Sequence, residues 1–163
     1  MKKIAVFPGS FDPITIGHVD LVERIHDLFD EVIIAIGQNS KKQYRFPLEQ
    51  RLAWIRKSTK HLSNVSADSF EGLTTDYCQS KGAKYLVRGL RSAHDLDFEQ
   101  TIAQLNRDLT ADDPIETIFL VSQPKYSHIS STIVREILLH HGDAKAFLPE
   151  GIAEEVVAVN DNL

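Results

Sequence analysis

Apolar residues in this chain fall into short unbroken runs that alternate with stretches where they recur every three or four positions. The first run, Ile4-Ala5-Val6-Phe7, reads as a buried strand, and Val19, Val22, Ile25 and Phe29, with Leu21 and Leu28, then give helical spacing. Val32-Ile33-Ile34-Ala35-Ile36 is a second continuous run, the pattern of a strand covered on both faces. A polar loop, Gly37 to Arg45, separates it from a helix that Pro47 opens at its first position, with Leu48, Leu52 and Ile55 on one face. A weak strand near Val65 leads to the loop Phe70-Glu71-Gly72-Leu73-Thr74-Thr75, and a short helix follows that stops at Gly82 as its C′ residue. Tyr85-Leu86-Val87 is the fourth strand. A longer helix carries Phe98, Ile102, Leu105 and Leu109 and ends before Asp112-Asp113-Pro114. Thr117 to Val121 is the fifth strand. Ser130-Ser131-Thr132 caps a helix with Ile133, Ile137 and Leu138 that Gly142 stops, and Ile152, Val156 and Val159 mark a last amphipathic helix. Strands alternating with helices predict an α/β fold, a doubly wound five-stranded parallel sheet in a single domain.

The first turn is the stretch to which the others relate. Thr15 is a candidate N-cap, which places Gly17 and His18 in the first turn of the helix that follows. Backbone N–H groups are free there and the helix dipole is positive, so the turn suits an anion. The same dipole disfavours a cationic histidine. His18 at this place makes sense beside a bound anion; the alternative is a polar surface residue at a helix start.

Composition narrows the classes. At 163 residues the chain fits one domain with a real core, and 42% hydrophobic with 25% charged residues is ordinary for a soluble globular protein. A net charge of −5 argues against general nucleic-acid binding, so a phosphate ligand must be held by a few local cations. Only four apolar residues follow Lys2-Lys3 before Pro8, too few for a signal peptide. No run approaches a membrane span, and Cys78 alone excludes an internal disulfide or a cysteine-based zinc site. A cytoplasmic protein is expected.

A doubly wound sheet binds ligands outside the C-terminal ends of its strands, where the strand order reverses. Ser10 and His18 follow strand one, Lys41 and Lys42 strand two, and Thr74 strand three; Arg88 and Arg91 follow strand four, and Tyr126 to Thr132 strand five. Cations, hydroxyls and helix N-termini on one rim predict a site for a polyphosphate. Neither the glycine-rich dinucleotide fingerprint nor a P-loop is present, so ordinary NAD and GTPase readings lack their chemistry.

Thr15-Ile16-Gly17-His18 resembles the T/HxGH signature of the nucleotidyltransferase superfamily, and Ile129-Ser130-Ser131-Thr132-Ile133-Val134-Arg135 resembles its ISSTxxR partner. These two motifs do not separate adenylyltransferases from CTP-dependent or nicotinamide-mononucleotide types. Arg88-Gly89-Leu90-Arg91 with Asp95, Glu99 and Asn106-Arg107, together with Pro8-Gly9-Ser10-Phe11-Asp12-Pro13 and Phe147-Leu148-Pro149, resembles the bacterial phosphopantetheine adenylyltransferases over nearly the whole chain. The resemblance implies an enzyme that moves AMP from ATP to 4′-phosphopantetheine. Of the residues, it implies catalytic roles for His18, Lys42 and Arg91. ATP would meet Ser10, Phe11, His18, Gly89, Leu90, Arg91, Glu99 and the stretch Tyr126, Ser127, His128, Ile129, Ser130, Ser131 and Thr132. The acceptor would meet Ser10, Lys42, Thr74 and Arg88. Mg²⁺ would accompany ATP, with no protein metal cage. A homohexamer, and coenzyme A as a feedback ligand, are further implications. Three positions depart from the family's pattern: Ser10 stands for the usual threonine, Phe98 for a tyrosine, and His128 for an apolar aromatic. The alternatives are another nucleotidyltransferase of the superfamily and a nucleotide-binding regulator without catalysis.

Overall fold

The computed structural model describes residues 2–163. In chain order the elements are β1 (Ile4–Gly9), α1 (Ile16–Ile25), β2 (Glu31–Gln38), α2 (Leu48–Ser58), β3 (Val65–Glu71), α3 (Thr74–Ser80), β4 (Tyr85–Leu90), α4 (Ala93–Leu109), β5 (Glu116–Val121), α5 (Ser131–Leu139) and α6 (Glu150–Asp161). The five strands form one sheet in the order β3-β2-β1-β4-β5, and every neighbouring pair is parallel. The order reverses between β1 and β4, so the crevice falls at the C-terminal ends of those two strands.

Alternation along the strands explains their unbroken apolar runs. Ala5, Phe7, Val32, Ile34 and Ile36 feed the core on one face of the sheet, together with Leu21, Val22, Leu52, Trp54 and Ile152 from the helices. Val6, Ile33, Ala35 and Leu86 feed the opposite face, against Tyr77 and Cys78 of α3. Side chains point to opposite faces at successive strand positions, so a strand buried on both sides has no polar phase.

The structure corrects several boundaries. β3 runs on through Phe70 and Glu71, which pair with Gly37 and Gln38, leaving only Gly72 and Leu73 before α3. Its polar residues, Ser66, Asp68 and Ser69, mask a strand that the ladder with β2 holds at the sheet edge. β4 likewise continues through Arg88, Gly89 and Leu90, paired with Phe119, Leu120 and Val121 of β5, so Arg88 lies within the strand and not after it. Pro47 is the N-cap of α2 rather than its first residue. At the end of α5 the left-handed residue is His141 (φ 57°), while Gly142 sits one further on and donates its N–H to Ile137 O at 2.8 Å. That is a Schellman closure in which the glycine serves close approach, because a Cβ there would meet Ile137 Cγ2 at 2.8 Å.

α4 is a helix, as its spacing implies, but none of its residues is buried. Phe98 is 66% exposed, and Leu105 and Leu109 are more than half exposed. Their periodicity describes an apolar stripe that the rest of the chain leaves uncovered.

Trp54 is fully buried and meets Phe46 edge-on, ring centroids 4.9 Å apart. Trp54→Ala therefore opens a cavity between α2 and the sheet and should cost about 3–5 kcal/mol in denaturant unfolding. Trp54→Phe keeps most of the volume and the contact with Phe46, and should cost less than about half as much.

Candidate active site

The loop after β1 is shaped by its own residues. Phe11 takes the left-handed region (φ 43°), which non-glycine side chains seldom adopt, and its ring folds back over Gly9. A Cβ on Gly9 would come within 2.9 Å of Phe11 Cε2, so glycine is what lets the ring lie there. The same ring meets Phe7 at 5.4 Å and His18 at 5.0 Å, both edge-on.

Thr15 caps α1 as its sequence position predicts. Its Oγ1 accepts from His18 N at 3.4 Å, and His18 Nδ1 accepts from Thr15 N at 3.0 Å, a reciprocal capping box with histidine in the place more often held by Glu or Gln. Nδ1 is thereby fixed as an acceptor, which leaves Nε2 to carry the proton. Burial first, and then the charges of Arg91 and Arg88, push the His18 pKa down to about 4. At pH 7 the imidazole is neutral and still presents one N–H.

Two cavities adjoin at the reversal of strand order. The larger, about 410 Å³, brings together Ser10, Phe11, His18, Lys42, Arg88, Gly89, Arg91 and Glu99 with Tyr126, Ile129, Ser130, Ser131 and Thr132. The other, about 330 Å³, contains Thr74, Phe98 and Asn106 and shares Pro8, Gly9, Ser10, Arg88 and Glu99 with the first. Three residues of the expected ATP set do not line either space. Leu90 is buried, Ser127 Oγ donates to Pro124 O at 2.9 Å, and His128 meets the Phe147 ring edge-on at 6.3 Å.

The cations are individually placed. Lys42 Nζ donates to Ser10 Oγ at 3.0 Å, across the mouth shared by the two loops. Arg88 donates Nε and Nη2 to the Glu99 carboxylate (2.7 and 2.5 Å) and Nη1 to Pro8 O (2.8 Å). Three of the five guanidinium N–H groups are so engaged, and two remain for a ligand. Arg91 lies 3.5 Å from Asp95 through Nε, and its backbone N–H donates to the same carboxylate at 2.8 Å. Two helix N-termini border the larger cavity: that of α1 at Gly17, and that of α5, where Ser130 Oγ accepts from Ile133 N at 3.2 Å. Backbone amides, a neutral histidine N–H and four basic side chains, Lys42, Arg88, Arg91 and Arg135, face one space, an arrangement that binds and neutralises phosphoryl oxygens.

Sequence reasoning gave no role to three further charged residues, although Asp12 and Arg135 lie within its motifs and Arg135 lines the larger cavity. Asp12 is 2% exposed and its carboxylate accepts the backbone N–H groups of Arg45 and Phe46, each at 2.9 Å. Arg51, 3% exposed, donates to Phe46 O at 3.0 Å and Ser10 O at 2.8 Å. Arg135 donates to Asp12 O at 2.8 Å. A signal existed for Arg51: it sits on the apolar stripe of α2, between Leu48 and Ile55 at helical spacing.

The cytidylyltransferase-like family matches residues 6–137. Among curated proteins, the phosphopantetheine adenylyltransferase of Christiangramia forsetii is 45% identical over 95% of this chain and all of its own length. That of Bdellovibrio bacteriovorus is 45% identical over 94% of this chain and 95% of its own. That of Flavobacterium psychrophilum is 48% identical over 93% and 98%. Among solved structures, a putative nicotinate-nucleotide adenylyltransferase from Vibrio parahaemolyticus superposes with a TM-score of 0.68 at 22% identity, covering 97% of this chain and 99% of that one. A bifunctional NMN adenylyltransferase/ADP-ribose pyrophosphatase from Francisella tularensis superposes at 0.66 and 19% identity, over 91% of this chain and 45% of that one. The structural likenesses speak for the fold, and the sequence matches for the family: this chain belongs to the phosphopantetheine adenylyltransferases, within the cytidylyltransferase-like proteins.

Proposed function

We propose that the protein transfers AMP from ATP to the phosphate of 4′-phosphopantetheine, giving dephospho-coenzyme A and pyrophosphate. The observation that carries this reading is the pair of cavities meeting at Ser10 and Arg88, one bordered by two helix N-termini and the other reaching past Thr74 and Phe98 to Asn106. ATP takes the larger space, with its phosphates toward His18, Arg91 and the amides of α1 and α5. The acceptor takes the smaller, with its phosphate toward Lys42 and the two remaining N–H groups of Arg88.

The chemistry needs little besides placement and charge. A phosphomonoester has its second pKa near about 6, so at pH 7 the acceptor is already an anionic nucleophile and no general base is required. An acceptor oxygen attacks the α-phosphorus of ATP, and the bond from that phosphorus to the β-phosphate oxygen breaks as pyrophosphate leaves. Lys42 and Arg88 offset the repulsion between the two anions, which orients the attack. His18 Nε2–H and Arg91 stabilise charge on the transferring and leaving groups. Among the described residues no group of three or more His, Cys, Asp or Glu is placed to hold a metal. Mg²⁺ would accompany ATP without a protein cage and would supply neutralisation of phosphate charge beside Lys42, Arg88 and Arg91.

The same reading carries the cytoplasm as compartment, coenzyme A as feedback ligand and a homohexamer as assembly. Among the described residues no helix is long and apolar enough to cross a membrane. The uncovered stripe of α4, Phe98, Leu105 and Leu109 with Val121 beside it, supports an assembly in which another subunit covers it.

Pyrophosphate release, measured with ATP or CTP and with or without phosphopantetheine, tests the reading. Release that requires both ATP and the acceptor supports it; release with CTP, or none at all, defeats it. His18→Ala should lower kcat by roughly 10²–10³ with a much smaller change in KM for ATP, because the lost donor matters when charge develops.

The two cavities should separate kinetically. Arg88→Ala should raise KM for phosphopantetheine far more than for ATP, and Thr132→Val the reverse. Initial rates with each substrate varied in turn check this, and equal losses in both variants would show that the substrates are assigned to the wrong spaces.

The pH dependence follows from the groups that titrate. Between the lowered His18 pKa of about 4 and its ordinary value of 6.5, the folded protein keeps this imidazole neutral where an exposed one would charge. Falling pH through that window therefore favours the unfolded state, which binds the proton more readily. Activity should rise with pH through one limb, with its midpoint at or below about 6, as the acceptor phosphate loses its second proton near Lys42 and Arg88. His18→Gln, which donates but does not titrate, should be slower and keep that limb in a kcat–pH profile. Loss of the limb would mean that the histidine titrates in its place.

A further inference from the structure

Among the described residues, Arg51 is the one buried lysine or arginine, and the reaction above leaves it without a task. It lies on α2, and three contacts account for its guanidinium. Nε donates to Phe46 O at 3.0 Å, Nη1 donates to Ser10 O at 2.8 Å, and the group stacks over the Tyr44 ring with its central carbon 4.2 Å from the centroid. The two carbonyls belong to different loops. Ser10 is on the loop after β1, and Phe46 ends the loop after β2 that carries Lys42. Asp12 joins the same two loops from the other side through the backbone N–H groups of Arg45 and Phe46.

Tyr44 extends the connection to Lys42. Its hydroxyl accepts from Asn39 N at 3.1 Å and donates to Gly37 O at 3.3 Å, while Lys42 N donates to Asn39 O at 3.0 Å. Lys42 Nζ lies 5.5 Å from the centre of the ring on which Arg51 stacks, and it donates to Ser10 Oγ, whose own carbonyl Arg51 holds. The contacts close a circuit: Arg51 to Ser10, Ser10 to Lys42, Lys42 to Tyr44, Tyr44 back to Arg51. Without it, Lys42 would sit on an exposed loop tethered only by local backbone turns.

We infer that Arg51 is a positioning residue that, through Tyr44 and the Ser10 carbonyl, sets the Lys42 ammonium against Ser10 at the acceptor side of the site. It touches neither cavity of the proposed reaction and acts through Lys42. Arginine suits the task because its planar fork serves two carbonyls on separate loops while its face stacks on an aromatic ring; lysine offers one compact ammonium and no such plane. Burial lowers the pKa of the guanidinium and the nearby Asp12 carboxylate opposes that shift.

The inference rests on the adenylyl-transfer reading, and one set of kinetics tests the two separately. In unaltered enzyme, formation of dephospho-coenzyme A tests the reaction itself. In Arg51→Lys, kcat/KM for phosphopantetheine should fall about tenfold or more, while KM for ATP stays within about twofold, since a displacement of about 1 Å at a reacting group suffices for such a loss. In the background of Lys42→Ala, adding Arg51→Lys should cost less than about twofold further, because the second change then has nothing left to misplace. Tyr44→Phe keeps the ring and removes the hydroxyl bridge; it should lower acceptor kcat/KM about threefold or more, again sparing ATP, and it carries the test if Arg51→Lys does not fold. Normal kinetics in a folded Arg51→Lys or in Tyr44→Phe, equal losses for both substrates, or additive losses with Lys42→Ala would each overturn the inference.

Discussion

Four backbone carbonyls at the end of β1 and in the loop that follows, those of Pro8, Ser10, Asp12 and Pro13, are each held by a side chain from elsewhere in the chain. Arg88 of β4 takes the first, Arg51 of α2 the second, and Arg135 and Ser131 of α5 the third and fourth. The loop crosses the reversal of strand order, and Phe11 to Ile14 are buried there. A buried carbonyl without a donor is costly, so each needs a partner. By using Arg88 and Arg135 for two of them, the chain gathers guanidinium charge at the crevice as a by-product of satisfying its own backbone. The wall of both cavities and the placement of their cations are then one structural problem with one solution.

This arrangement reconciles an acidic protein with anionic ligands. A net charge of −5 would repel ATP at long range, yet Lys42, Arg88, Arg91 and Arg135 all line one cavity. Acidic partners do not cancel them. Glu99 takes the Nε edge of Arg88 and fixes the plane of the guanidinium, leaving N–H groups free in a set direction. Asp95 does the same for the start of α4 through the backbone and side chain of Arg91. The histidine follows the same logic at a helix N-terminus, where charge is unwelcome: the capping bond to Nδ1 and burial keep the ring neutral while it still donates.

The sheet was legible because strands buried on both faces cannot hide their apolar runs, and the rim because a doubly wound fold places every strand's C-terminal end together. Thr15 was legible as a cap, which located His18; its tautomer was not, since that depends on which ring nitrogen meets the Thr15 amide. Polar β3 and the polar end of β4 were cut short, because ladder hydrogen bonds extend a strand regardless of hydropathy. The α4 stripe shows the limit of periodicity: spacing tells that Phe98, Leu105 and Leu109 share a face and says nothing of what lies opposite. Arg51 and Asp12 escaped for a further reason. Charged residues read as surface until a fold buries them, and three of their four backbone partners here lie more than thirty positions away.

The central claim is that the acceptor's own phosphate attacks the α-phosphorus of ATP in a site built to hold two anions together. Labelling the non-ester oxygens of the 4′-phosphopantetheine phosphate with ¹⁸O and following the label by ³¹P NMR tests it most directly. The account predicts that all label remains in the diphosphate of dephospho-coenzyme A, including its bridging oxygen, with pyrophosphate unlabelled. AMP or ADP released in step with product would place the attack at another phosphorus, and an unlabelled bridging oxygen would show that the acceptor phosphate was not the nucleophile; either result would contradict the account.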